Sequence, residues 1–175
     1  MSGGYAEKGP VPLHALHAAV QAADADVASC QVRALLLARA DVHSEDAEAE
    51  TALFKAVGLE QPEMAELLLG AQADVNWRGS EFSFTALHQA ACLNNSRMIE
   101  LLLRARADAD IADESGSTPL SLATSVRHRL DSELEDADGG TVCIRELERQ
   151  ALMRDLEQNS EIQDLLAAKA LPGSV

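Results

Sequence analysis

The sequence predicts an all-α repeat solenoid, a row of paired antiparallel helices with hairpin tips between the pairs. Two observations carry this. "TALFKAV" begins at Thr51, "TALHQAA" at Thr85 and "TPLSLAT" at Thr118, so the starts are 34 and 33 residues apart. The far ends keep the step: "LLLARADVH" begins at Leu35, "LLLGAQADVN" at Leu67 and "LLLRARADAD" at Leu101, and the Ala-Asp pairs end at Asp41, Asp74 and Asp108. A fixed period of about 33 residues with one helical hairpin per unit marks a stack in which each unit buries its apolar face on its neighbours. Helix pairs are expected near 13–37, 52–70, 86–104 and 119–170, the last pair interrupted.

The third unit shows why these residues fold so. Thr85 is suited to cap a helix, and Leu87, Ala90 and Ala91 follow as a narrow apolar stripe at helical spacing. Small alanines let neighbouring first helices approach closely. After a turn at Asn94-Asn95, Met98, Ile99, Leu101, Leu102 and Leu103 form the second helix, whose apolar faces lock adjacent units. The second unit repeats this with Met64, Ala65, Leu67, Leu68 and Leu69 behind Pro62, a residue suited to a helix start.

These motifs resemble the ankyrin-repeat family, whose pattern reads T-P-L-H-x-A-A, an apolar run ending in LLL, then GADVN and D-x-x-G. The resemblance covers about 13–171 and is best in the third and fourth units, where "ADADIADESGSTPLSLA" carries Asp113 and Gly116, used by the family to turn its hairpin. It implies a hydrogen-bonding role for His88 rather than metal ligation. It also implies units at about 13–43, 44–76, 77–110 and 111–171, with tails at 1–12 and 172–175. The departures are specific. Gln72 and Arg106 stand where the family ends its second helix with Gly, and can take the left-handed cap at a cost of about 1 kcal/mol. His43 replaces the Asn of "DVN". The first unit holds about four extra residues, read as a lengthened inter-helix turn in "QAADADVASC".

The fourth unit is interrupted. Its first helix starts at Thr118, whereas "SEIQDLLAAKA" (160–170) supplies the second, with Leu165 and Leu166 in the places of Leu101 and Leu102. The insertion at about 130–158 reads as an extension of the first helix through "RHRLDSELEDADGG", then an extra helix over about 141–157. That helix has Ile144, Leu147, Ala151 and Leu152 on one side. It either seals the end of the stack or protrudes to meet a partner.

Composition narrows the function. A net charge of −15 over 175 residues argues against nucleic acid or an anionic membrane surface as partner. No apolar run reaches the roughly 18 residues of a membrane span, and the N-terminus has no secretory or transit pattern. Cys30, Cys92 and Cys143 are scattered and odd in number, pointing to a reduced intracellular, cytoplasmic setting. HExxH, GxSxG, P-loop, GxGxxG and zinc-spaced Cys/His motifs are absent. His14 and His17 could share a helix face but have no third ligand. The carboxylates lie in solvated runs rather than an enclosed site. No enzyme, cofactor or metal is expected.

The resemblance implies an interaction module whose concave groove and hairpin tips bind another protein. The alternative is an accessory subunit held permanently in a larger assembly. Acidic tips carrying Glu45, Asp46, Glu48 and Glu50, and Asp108, Asp110, Asp113 and Glu114, suit a partner with a basic surface. Three of the five aromatics fall in the tip "WRGSEFSF", which is one residue longer than its neighbours. Aromatic residues and Arg anchor interfaces by burying much area with few rotamers. The expected binding residues are therefore Trp77, Arg78, Phe82 and Phe84, supported by Leu59, Cys92 and Leu93 at the ends of first helices.

Overall fold

Four helix pairs follow one another along the computed structural model, which describes residues 15–22, 25–79, 82–137, 154 and 157–168. They are α1 (Ala15–Val20) with α2 (Ala25–Leu37), α3 (Ala52–Gly58) with α4 (Pro62–Gly70), α5 (Ala86–Cys92) with α6 (Ser96–Arg104), and α7 (Pro119–Ala137) with α8 (157–168). The first helices pack in a row, α1 on α3, α3 on α5 and α5 on α7, while α2, α4 and α6 form a second layer behind them. Among the described residues there is no strand, only two isolated bridges at the tips, Glu45–Thr51 and Gly79–Phe84. The predicted all-α repeat solenoid is what the chain forms.

Local chemistry sets the helix ends. Thr51 accepts from the Phe54 backbone N–H, and Thr85 caps α5 in a reciprocal box with His88. Asn95 caps α6 by accepting from Met98 N at 3.0 Å. Pro62 opens α4, where its missing N–H costs nothing. The core is a ladder of equivalent residues: Leu16, Leu53 and Leu87 in the first layer and Leu68, Leu102 and Leu166 in the second, all at most 1% exposed. Alanines 52, 56, 86, 90, 91 and 123 are buried between first helices and keep them close.

The backbone repeats as well. Arg39, Gln72 and Arg106 take φ of 61°, 67° and 66° just past the second helices, the left-handed ends foreseen for Gln72 and Arg106. Ala49, Ser83 and Gly116 take φ of 55°, 55° and 81° at the three tips, and Glu60 and Asn94 do so between paired helices. The Ala-Asp pairs have a cause too: Asp41, Asp74 and Asp108 each accept from the N–H two residues on, at 3.0, 2.9 and 2.9 Å.

One expectation needs correction. The extra residues of the first unit go mainly into its second helix rather than the turn: α2 begins at Ala25 and runs 13 residues, where α4 and α6 run 9. Ala, Asp, Val and Ser can all continue a helix once Val32 and Ala28 anchor it in the core, so most of the surplus became helix. His17, read only as half of a doubtful metal pair, is 3% exposed and its Nε2 lies 2.9 Å from the Glu50 carbonyl. This matches His88, whose Nε2 lies 3.1 Å from the Ser117 carbonyl, so the first unit carries the same inter-unit tie.

The fourth unit keeps register across its insertion. Helix α7 runs 19 residues against 7 for α3 and α5, so it overhangs the stack. Helix α8 nevertheless docks in place, with Ile162 and Leu166 fully buried where unit three has Met98 and Leu102. Asn159, also fully buried, donates to Asn94 Oδ1 and to the Ala123 carbonyl, both at 3.0 Å, and accepts from Gln163 at 3.1 Å. A buried amide is tolerated only when its bonds are made, and these fix α8 against the turn of unit three. Apart from Arg154, which is helical, the expected extra helix at about 141–157 and both tails lie outside the described residues or at their edge.

Candidate protein-binding surface

The tip "WRGSEFSF" is built by latches to the tips on either side. Trp77 Nε1 donates to Glu45 Oε1 of the preceding tip at 3.0 Å, and its ring meets Phe54 edge-on with centroids 5.7 Å apart. The ring also fills the space over Gly79, where an added Cβ would stand 1.7 Å from the indole. Any other residue at Gly79 would push Trp77 out. Towards the following tip, Arg78 donates to the Ala112 carbonyl at 2.9 Å, Ser83 to Glu114 Oε1 at 2.9 Å, and Glu114 N to the Phe82 carbonyl at 3.2 Å. Asn76 Oδ1 accepts from Asp108 N at 2.8 Å. His43 at the corresponding position of the first tip has no amide with which to do this.

The polar handles of this tip are therefore engaged by its neighbours, and one large apolar group is left outside. Phe82 is 58% exposed. It leans on Phe84, centroids 5.8 Å apart, and Phe84 stacks on His88 at 5.4 Å with planes 18° apart. His88 is fully buried and hydrogen-bonded at both ring nitrogens. Thr85 N donates to its Nδ1 at 3.2 Å, which leaves the proton on Nε2 to be donated to Ser117 O. Burial pushes its pKa below 6.5, the Arg78 charge adds to this, and the Ser117 carbonyl and Asp113 oppose it.

The acidic tips are only partly free charge. The Lys55 ammonium, from α3, gathers Asp46 at 2.6 Å, Glu48 at 3.2 Å and Glu50 at 3.5 Å. Burial opposes ionisation of Asp46, but Lys55 and the backbone N–H groups of Glu50 and Glu48 outweigh it and hold its pKa down to about 2. The same Asp46 contact drives Lys55 well above the usual lysine range. Asp113 caps its own turn, accepting from Ser115 N and Ser117 N, both at 2.8 Å. Asp46 treats Glu48 N and Glu50 N the same way. The two tips thus share one turn, and the sequence could have shown it as Asp46 and Asp113 at equal distances before Thr51 and Thr118.

Of the expected residues, the structure brings Trp77, Arg78, Phe82 and Phe84 into one tip. It does not bring Leu59, Cys92 and Leu93 there. Leu59 and Leu93 are the caps at the far ends of α3 and α5, 49% and 39% exposed, about 10 Å along the helices from the tip. Cys92 and Leu93 instead edge a cavity of about 360 Å³ shared with Val126, Arg129 and Leu130 of α7 and Gln158 of α8. Among the described residues no three His, Cys, Asp or Glu side chains are grouped as a metal site, and no helix is long and apolar enough to cross a membrane.

A row of helix pairs with latched hairpin tips defines a helical repeat protein. Residues 70–123, from the end of α4 through unit three into α7, match the family model for ankyrin repeats (many copies). Ankyrin repeats generally mediate protein–protein interaction and are typically not catalytic. No match is found among curated proteins.

Proposed function

We propose that the chain is a non-enzymatic interaction module that binds a partner protein across its concave face, anchored at the tip between units two and three. The observation that carries this is Phe82, exposed on a platform of Phe84 and the buried, hydrogen-bonded His88. Pre-ordered aromatic surface gains affinity because little side-chain freedom is lost on binding. Trp77 and Arg78 brace the tip and can still meet the partner at their outer edges. Leu59, Cys92 and Leu93 form a second contact, reached by a segment that crosses the groove. With a net charge of −15, the partner surface suited to it is basic.

The test is binding of the native partner to Phe82→Ala and, separately, Leu93→Ala. Phe82→Ala should weaken affinity by about tenfold or more, the range of a central anchor. Unchanged affinity in a normally folded Phe82→Ala variant would remove the tip from the site. The accessory-subunit reading has one observation of its own: Val27 and Leu37 of α2 are exposed away from the groove.

A further inference from the structure

The second helices differ in what they show to solvent. Helix α4 presents Glu63 and Glu66, and α6 presents Arg97 and Arg104, paired with Glu63 and Glu100. Helix α2 presents Val27, Cys30, Ala34 and Leu37, which fall at helical spacing on one face opposite the buried Ala28 and Val32. Leu37 is 86% exposed and Val27 47%. In the following units the positions equivalent to Leu37 are Gly70 and Arg104, the last residues of α4 and α6, both exposed, so only the first unit sets a large apolar side chain there. The first unit thus shows Cys30 and Leu37 at exposed positions where the following units carry Glu63 and Gly70, and Arg97 and Arg104.

We propose that this face pairs with the same face of a second copy, α2 lying antiparallel to α2 about a two-fold axis. The order of residues along α2 is self-complementary. With the axis level with Val32, Val27 of one copy lies opposite Leu37 of the other, and Cys30 lies opposite Ala34. Asp26 then comes beside Arg39 of the second copy at each end, and all four of those charged residues are on the exposed side. A two-fold contact requires this kind of match, in which one patch complements itself. The face also suits self-association of an acidic chain. Two copies of charge −15 repel, yet the exposed side of α2 and its C-terminal turn carry Arg33 and Arg39 against Asp26. Small residues at the centre let the helices approach to about 8–10 Å. A contact of one 13-residue helix, about 20 Å long, belongs to the weaker interface class, so a reversible dimer is expected.

Sedimentation of the full chain across a concentration series tests this. The expected result is a monomer–dimer equilibrium in which Leu37→Glu and Ala34→Glu each raise the dissociation constant about tenfold or more, with helical content unchanged. Asp26→Arg should weaken the dimer, and Asp26→Arg combined with Arg39→Asp should restore it. A chain that stays monomeric throughout overturns the proposal, as does a dimer indifferent to Leu37→Glu. Failure of the double charge exchange to restore the dimer overturns the antiparallel pairing. Binding of a different protein on α2 by an otherwise monomeric chain overturns the second copy as occupant. Phe82→Ala should leave the equilibrium untouched, which separates this contact from the tip.

Discussion

Gln72, Arg106 and Ala49 hold φ of 67°, 66° and 55°, a region in which a Cβ is strained and Gly is not. Replacing each with Gly should raise stability by about 0.5–1 kcal/mol, because strain relief exceeds the extra freedom that Gly gives the unfolded chain. Urea midpoints would show it, and a lowered midpoint at Gln72→Gly would contradict the assignment. These two helix ends were legible in the sequence because the family pattern places Gly there. Ala49 was not, since an alanine in "SEDAEAET" carries no mark of the turn that Asp46 imposes. Acid should unfold the stack in two windows. His88 has a folded pKa below its ordinary 6.5, so the unfolded chain binds the extra proton first; stability is full above 6.5 and declines as pH falls below it. Asp46 is depressed from 3.8 to about 2, so its contribution is present above 3.8 and lost as pH falls through that range. His88→Gln should abolish the upper window and keep the lower. An upper window that survives in that variant would assign it elsewhere.

At the scale of the helix, burial decides. Leu102 and Leu68 are fully buried at contacts between units, so Leu102→Ala should cost about 2–5 kcal/mol through lost transfer energy and the cavity left behind. Coupling between neighbours means hydrogen exchange should quicken in α4 and α8 as well as α6. A loss under about 0.5 kcal/mol would contradict that packing. Helix α8 rests on Asn159 in addition to its leucines. Removing this amide by Asn159→Ala strips partners from Asn94 and the Ala123 carbonyl and should cost about 1–3 kcal/mol. The expected signature is faster exchange in 157–168 with α3 and α4 unchanged. Leu165 and Leu166 made α8 readable, because a leucine pair at the right interval survives an insertion of any length. The extra turn of α2 was hidden, because an Ala- and Asp-rich stretch reads equally as loop or helix until the core anchors it.

For the molecule as a whole, the stack was legible from two repeated motifs and the aromatic tip from composition. The division of labour inside the tip was not. Trp77 was expected among the anchors on its residue type, but its indole N–H and ring are committed to Glu45, Phe54 and Gly79, all distant in sequence or lacking a side chain. Leu59 and Leu93 stand at the ends of first helices, as expected, and a seven-residue helix separates them from the tip. Within the tip, the large apolar side chain that the fold leaves exposed is Phe82. The most direct test places a photo-crosslinking phenylalanine analogue at Phe82 and, as a control, at Glu66 on the opposite layer, in the native cellular source. The account predicts a discrete protein adduct from position 82 and none from position 66. An adduct from position 66 alone, or equal labelling from both, would contradict binding at the tip.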